Sequence, residues 1–545
     1  MFTGFRMDNL CNGKLNPFMM IRRLIVSSCV IGLVPCFLPV LHAANCDAVK
    51  DLKLPNTTIT TAERVSSGAV DVPTLNLPMR RLPIFCRVVG VLRPTPDSEI
   101  NFEVWMPENR WNGRFLGVGN GGFAGSIGYQ GLAGNLRHGY ATAGSDAGHL
   151  GQAEDASWAF GHPEKIKDYG WRAVHLTTER AKEIVQAYYG SPVKKAYFDS
   201  CSDGGREALM EAQRFPDDYD GILAGAPANA WSHMHASGVD LAQVTIGDPR
   251  AYISALKLPA IERSALAACD ALDGVKDGII SDPSKCHFNP EVLLCKGEDS
   301  LDCLTQPQVN SLQAYYAGGK DSQGRSIFPG LVMGDEAHGW PQWVVGHGPG
   351  SGDGLQYLQN YFRYMVMDDP KWNILTANVD ASFQAATDKT AADLDATSSD
   401  LSSFEARGGK LIMYHGWNDP AISPWNTVAY YKSVQQQMGE QQTESFLRLY
   451  MFPGMEHCGG GPGPDSVGQI GHAAEKGSKF GLLDALQDWV EQGVPAGDVT
   501  ATKYAPGPGK PKAIMTRPLC PYPMVAKYKG AGDTNNAANF ACAKE

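Results

Sequence analysis

The chain has 545 residues, 43% of them hydrophobic and 19% charged, with a formal net charge of −11. That composition is globular, and the length allows a large core or a domain carrying a long insertion. No basic block interrupts the acidic balance, which argues against nucleic acid and anionic membrane as partners.

The N-terminus has the layout of a secretory signal. Arg22-Arg23 precedes an apolar run, Leu24 to Leu41, and Leu41-His42-Ala43 suits cleavage. Residues before Met19 are unlike a signal, so Met19 and Met20 are candidate starts. Pro35 and Pro39 make the run a poor spanning helix, and no other stretch could cross a membrane. Residues 1–43 are therefore expected to be removed and the protein to be secreted or periplasmic. Three of the 13 cysteines, Cys11, Cys29 and Cys36, fall in that segment. An even number remains, which in an exported chain suggests disulfides. No C-x-x-C pair supports a zinc or thioredoxin motif. Sequence neighbourhood groups Cys46 with Cys86, Cys269 with Cys286, Cys295 with Cys303, and Cys520 with Cys542. Cys201 and Cys458 are left over, and the sequence alone leaves the connectivity open.

Residues 44–115 read as short strands and turns, among them Arg87–Leu92 and the alternating Asn101–Pro107. Phe115-Leu-Gly-Val-Gly is another strand, running into Gly119-Asn-Gly-Gly-Phe-Ala-Gly125. Tyr140–Gly144 is a further strand, and residues 171–189 predict a helix with Val174, Thr177, Ala181, Ile184 and Tyr188 on one face. Next comes Ala196-Tyr-Phe-Asp-Ser-Cys-Ser-Asp-Gly-Gly-Arg206, an apolar strand, a tight turn at Ser202 and a helix. Tyr219–Pro227 is one more buried strand. Strands alternating with helices predict a mostly parallel sheet covered on both faces. From about 232 to 395 the rhythm is lost and little regular structure is expected, so this stretch reads as an inserted lid domain. The rhythm resumes with a strand at 410–416, a helix around 426–438, a strand at 446–452 and a helix near 480–492. A Pro/Gly-rich tail ends the chain. The catalytic domain is thus assigned to 44–231 and 396–545.

The turn at Ser202 resembles a nucleophile elbow, with Ser200 in place of the first glycine of G-x-S-x-G. Asp419 and His457 each follow a predicted strand, giving the chain order Ser, Asp, His of α/β-hydrolases. A serine hydroxyl is a weak nucleophile until a base takes its proton. His457 would supply that base, and Asp419 would hold the imidazole tautomer. The N–H of Asp203 and one from Gly121 or Gly122 would bind the oxyanion. Each residue alone has an ordinary explanation, since an Asp before Pro forms turns and a His beside a Gly-rich loop is solvated. His149 and His415 are rival bases, and Asp146 and Asp220 rival acids. Joint order and placement at strand ends favour Ser202, Asp419 and His457. Cys201 and Cys458 flank the serine and the histidine, so a disulfide between them could hold the two in register.

Cys-Ser-x-Gly-Gly-Arg, His-Gly-x-x-Asp-Pro and Gly-Met-x-His-Cys together resemble the tannase/feruloyl esterase family. That family includes the hydrolase of mono(2-hydroxyethyl) terephthalate. Gly119–Gly125, Ser145–His149 and Pro216–Pro227 extend the resemblance over nearly the whole mature chain. It implies an α/β-hydrolase fold with a large inserted lid domain, five disulfides including Cys201–Cys458, and hydrolysis of esters of aromatic acids. It leaves open whether the acid is a hydroxycinnamate, gallate or terephthalate monoester, and it says nothing of oligomeric state. A non-catalytic binding protein on this fold would carry a broken triad, and this triad is intact. A serine protease or carboxypeptidase would share the triad, and the resemblance speaks against both.

Two lid features follow from the resemblance. Cys269-Asp-Ala-Leu-Asp-Gly-Val-Lys-Asp-Gly-Ile279 is similar to the family's calcium loop, which implies ligands Asp270, Asp273 and Asp277 with the carbonyls of Val275 and Ile279. Hard oxygen donors suit Ca2+, and the ion is expected to be structural. Family lids bind the aromatic acyl group, and residues 335–365 offer Trp340, Trp343, Tyr357, Tyr361, Phe362 and Arg363.

Overall fold

The apolar runs of the sequence assemble into one nine-stranded sheet. In chain order its strands are β1 (Thr57–Val65), β2 (Phe85–Leu92), β3 (Ile100–Pro107), β4 (Arg114–Val118), β5 (Ala141–Ser145), β6 (Lys195–Cys201), β7 (Gly221–Gly225), β8 (Lys410–Gly416) and β9 (Leu447–Phe452). The computed structural model describes residues 45–73, 78–507 and 511–544, so the expected leader, residues 1–43, lies outside the described residues. The sheet order is β1-β2-β3-β5-β4-β6-β7-β8-β9. Pairs from β1 to β5 are antiparallel, and β5-β4, β4-β6, β6-β7, β7-β8 and β8-β9 are parallel.

Parallel neighbours need crossovers, and helices supply them. They are α1 (Tyr129–Arg137), α2 (Ala173–Tyr189), α3 (Asp203–Arg214) and, after the insertion, α9 (Pro424–Met438), while α10 (Leu482–Gln492) follows the last strand. The expected helix at 171–189 is α2, preceded by a π-helical turn and stopped at Gly190, which takes the left-handed φ of 67°. One core layer joins α2, α3 and α9 to the sheet through Val185, Leu209 and Val428. A second, on the other face, packs Leu486 and Trp489 of α10 against Ile412 and Tyr414. This is the two-sided α/β arrangement, and its strand order is that of an α/β hydrolase.

Between β7 and β8 the chain is mainly helical rather than irregular. It forms α4 (Trp231–Ile246), α5 (Leu258–Cys269), α6 (Gln306–Ala317), α7 (Asp353–Asn360) and α8 (Val379–Ala386). Short helices broken by glycine and proline hide the 3.6-residue period that reveals α2. Thr305 and Gln308 form a capping box that starts α6. The C-terminal tail also differs from expectation. It forms two hairpins, Val499–Tyr504 with Ala513–Leu519, and Val525–Tyr528 with Phe540–Ala543. Five disulfides join Cys46–Cys86, Cys201–Cys458, Cys269–Cys286, Cys295–Cys303 and Cys520–Cys542. No helix among the described residues is long and apolar enough to cross a membrane.

β4 lies between β5 and β6, so the connections leaving it and reaching β6 run to opposite sides. In open parallel sheets ligands bind outside the carboxyl ends of strands at such a switch point. The Gly119–Gly125 loop after β4 and the Ser202 turn after β6 are therefore neighbours. α3 must start hard against the sheet. A Cβ on Gly205 would lie 2.1 Å from the Gly225 carbonyl oxygen of β7. We expect Gly205→Ala to destabilise the fold by about 1–3 kcal/mol, read by denaturant unfolding, because neither backbone can yield.

Candidate active site

Ser202 sits on a strained turn, with φ 68° and ψ −124°. A non-glycine residue holds such angles only when its surroundings enforce them. Here Ser202 N–H donates to Gly225 O at 3.0 Å, and Ser202 O accepts from Gly205, Arg206 and Ala228. Ser200 replaces the motif's first glycine because Gly204 leaves it room. A Cβ on Gly204 would fall 1.8 Å from Ser200 Oγ.

His457 Nε2 lies 2.8 Å from Ser202 Oγ, and its Nδ1 lies 2.7 Å from Asp419 Oδ2. Asp419 is buried. Its Oδ1 accepts from the N–H groups of Ala421 and Ile422, at 2.8 and 2.9 Å. Burial alone would push this carboxyl up. The His457 charge and the bonds from His415 and His457 outweigh it and hold Asp419 well below the usual carboxylate range. The acid thus stays ionised. His415, a rival base by sequence, lies behind the acid instead. Its Nε2 is 3.0 Å from Asp419 Oδ2, and its Nδ1 is 2.7 Å from Thr427 Oγ1.

The other rivals are elsewhere. His149 stacks on Trp158 and bonds the Phe123 carbonyl. Asp146 accepts from Asn101 and Gly148, and Asp220 accepts from Lys195 and Ala196.

Asp203 starts α3 with its N–H beside Ser202. Its side chain is turned away and buried. Asp203 Oδ1 accepts from Arg206 Nε at 2.6 Å and faces the Tyr169 hydroxyl at 2.9 Å. The same hydroxyl lies 2.9 Å from the Gly122 carbonyl oxygen, so Tyr169 ties the two sides of the expected oxyanion site. Arg206 is fully buried, donates to the carbonyls of Gly170 and Tyr169, and lies over the Tyr169 and Trp231 rings. The sequence motif contains Arg206. Nothing in the sequence marks Tyr169, which comes from a π-helical turn 34 residues away from Asp203.

Two cavities meet at Ser202 and His457. The first, about 240 Å³, runs under the insertion and is mostly apolar, with Trp231, Leu241, Phe328, Trp343, Tyr357 and Leu358 in its wall. The second, about 540 Å³, follows the Gly119–Gly122 loop past Gln130, Asn135 and Asp199. Gly122, Trp343 and Tyr357 border both, and Gly121 only the second. Among the described residues lining either cavity there is no lysine or arginine.

The family model "Tannase and feruloyl esterase" matches residues 86–543. The chain belongs to the tannase and feruloyl esterase family. It is 42% identical over 526 residues to an uncharacterized esterase of Xanthomonas campestris, covering 92% of this chain and 91% of that one. It is 36% identical over 433 residues to a probable feruloyl esterase B-2 of Aspergillus flavus, covering 77% and 80% of the two chains. The crystal structure of feruloyl esterase B from Aspergillus oryzae superposes with a TM-score of 0.84 at 28% identity, covering 92% of this chain and all of that one. This tannase-family chain is therefore a carboxylic ester hydrolase.

Of the six aromatic and basic residues expected in the esterase's acyl site, two line it. Trp343 meets the His457 ring edge-on at 5.4 Å and stacks on Tyr357 at 6.1 Å. Trp340 packs with Tyr315 and Tyr316 in a separate cluster. Tyr361 and Phe362 are core residues, and Arg363 bonds the Trp372 carbonyl and Gln359. Tyr361, Phe362 and Arg363 lie on the π-helical turn after α7 and point away from the cavity.

The Asp270–Ile279 loop of the esterase carries three carboxylates. Asp270 accepts from the N–H groups of Asp277 and Gly278, and Asp273 from Val275 N–H and Ser281 Oγ. Asp277 Oδ2 takes a 2.7 Å bond from Arg517, while its Oδ1 is buried with no donor. Burial raises the Asp277 carboxyl above its ordinary value; Arg517 opposes this, and Asp273 and Asp270 add to it. An all-oxygen donor set with one orphaned buried oxygen fits a hard cation.

Asp199, below the Ser202 turn, has one carboxylate oxygen bonded to Ile470 N–H and the other without a partner. Burial pushes its carboxyl up to about 7. Between the unfolded value of about 4 and that value the unfolded chain has lost a proton that the folded chain keeps, so Asp199 lowers stability as pH rises. We expect Asp199→Asn to raise the melting temperature at pH 8 and to change it little at pH 4, as read by calorimetry.

Proposed function

We propose that Ser202, His457 and Asp419 form the catalytic triad of an exported serine esterase acting on uncharged esters of aromatic acids, feruloyl esters first. The observation that carries this reading is the continuous hydrogen-bonded chain from Ser202 Oγ through His457 to a buried Asp419, at the mouth of an apolar cavity. His457 takes the Ser202 proton as Oγ attacks the ester carbonyl. The oxyanion accepts from Asp203 N–H and from a peptide N–H at Gly121 or Gly122. His457 then protonates the leaving alcohol, and water repeats the sequence on the acyl-enzyme. Asp419 orients the ring and stabilises its charged form throughout. The aromatic acid enters the apolar cavity against Trp343 and Tyr357, and the alcohol lies along Gln130 and Asn135 in the second.

The absence of a lining cation separates the possible acids. A terephthalate monoester would bury a carboxylate with no Lys or Arg to meet it, at a cost that ferulate and gallate esters avoid. Names among the relatives, such as probable feruloyl esterase B-2, support the hydroxycinnamate reading. Export rests on the expected leader and on the five disulfides.

Turnover on methyl ferulate, methyl p-coumarate, methyl gallate, mono(2-hydroxyethyl) terephthalate and p-nitrophenyl acetate tests the reading. One uncharged aromatic ester should exceed both the acetate and the terephthalate monoester. Ser202→Ala should abolish turnover while leaving the melting temperature nearly unchanged. Turnover of the acetate alone would remove the aromatic assignment, and retained activity in Ser202→Ala would remove the triad.

We also infer that Asp270, Asp273 and Asp277, with the Val275 and Ile279 carbonyls, hold a structural Ca2+. The ion would neutralise the clustered carboxylates of the loop clipped by Cys269–Cys286. Chelation is expected to lower the melting temperature by several degrees, with recovery on adding Ca2+. An unchanged melt in protein shown to be metal-free would count against the site.

A further inference from the structure

A second cluster of metal-ligating side chains lies in the insertion, near the Asp419 turn. Glu262 of α5, and Asp335 and His338 on a short helical segment, each place one ligand atom within 4.8 Å of the others. His338 Nδ1 is 3.0 Å from Asp335 Oδ1 and 3.4 Å from Glu262 Oε2. Asp335 heads the Glu336–Trp340 helical turn yet its side chain does not cap it. The residue is 3% exposed, and its Oδ2 is buried with no hydrogen-bond partner. The neighbouring carboxyl is that of Glu456, next to His457 in sequence. Burial, with Glu456 against it and Glu262 and Glu336 nearby, pushes the Asp335 carboxyl up to about 10.

Ala337 N–H donates to Glu262 Oε2 at 2.8 Å, so the unmet oxygen of the set is Asp335 Oδ2, and a buried carboxylate oxygen without a donor needs a proton or a cation. The nearby imidazole distinguishes this set from the all-oxygen loop at 270–279. Imidazole with carboxylates suits zinc-type divalent ions better than Ca2+. His338 is 63% exposed on its side chain, which leaves an entry path. We propose that Glu262, Asp335 and His338 form a second metal site, selective for Zn2+-type ions, in the part of the insertion that packs on the Asp419 turn. The same segment already touches the acid turn, since Asn418 donates to Met333 O and Gly339 packs on Pro420. An ion there would stiffen the segment of the insertion that packs on the Asp419 turn.

The test is Zn2+ uptake by the purified protein carrying no polyhistidine tag, stripped with chelator and then held in excess Ca2+. Equilibrium dialysis with elemental analysis should find one Zn2+ per chain, and the ion should raise the melting temperature. His338→Ala, which removes an exposed side chain, should weaken uptake at least about tenfold. Glu262→Gln is the second variant, with circular dichroism confirming the fold of both. Weakened uptake in either variant supports the site. No uptake by the wild type, or uptake that matches the wild type in both variants, overturns it and leaves a proton shared by Asp335 and Glu456 as the account of their contact.

Discussion

The distance between β6 and β9 is the constraint on which the site depends. Ser202 follows β6 and His457 follows β9, with β7 and β8 between them in the sheet. Three strand spacings amount to about 14 Å, far beyond hydrogen-bond reach. The loop after β9 must therefore travel back over the carboxyl ends of β8 and β7. It is guided there by Asn418 N–H, which donates to Met455 O, and by Gly416, whose missing side chain lets the Met455 carbonyl pass. The Cys201–Cys458 disulfide then closes the path, joining the residue before the serine to the residue after the histidine across 257 positions. A covalent link at that point leaves Ser202 and His457 little freedom to separate, which is preorganisation built from two side chains outside the reaction.

The helix behind the serine carries a second tension. Asp203, Glu207 and Glu211 recur every four residues along α3, and all three are buried. Asp203 is met by Arg206 and Tyr169, and Glu207 accepts the Asn120 N–H, so two of the carboxylates fasten the loops beside Ser202. Burial and the neighbouring Asp203 raise Glu207 to about 8. Such a column is costly as core and is tolerated because its upper end positions the peptide groups facing the substrate. The insertion adds apolar walls on one side of Ser202.

What could be read from the sequence was whatever depends on local order. The strands at 114–118, 195–201 and 410–416 are short apolar runs bounded by turns, and α2 has an unbroken apolar face. Ser202, Asp419 and His457 were legible because each directly follows such a strand, and a chain order of strands carries a chain order of strand ends. The insertion was not legible in the same way. Its longest helix, α4, buries Ser232, His235, Ser237 and Thr245, so no clean apolar period marks it, the helices after it are shorter, and the tail's hairpins are masked by the glycines and prolines that turn them.

Tertiary structure decided everything that depends on which segments meet. Of the six candidates for the acyl site, Trp340, Tyr361 and Phe362 are buried in the core and Arg363 is tied to Gln359 and the Trp372 carbonyl, because orientation on a short helix depends on packing that no neighbouring residue announces. His415 became a partner of Asp419 rather than a rival to His457 because the strand turns it behind the acid. Tyr169 reached Gly122 and Asp203 from a distant helical turn. The sequence by itself determined the residues proposed as the triad and their order, since those follow from local strand–turn–helix chemistry. The folded chain alone decided the walls of the cavities, the absence of lysine and arginine from their described lining and the meeting of Asp335 with Glu262 and His338, since each depends on segments far apart in sequence.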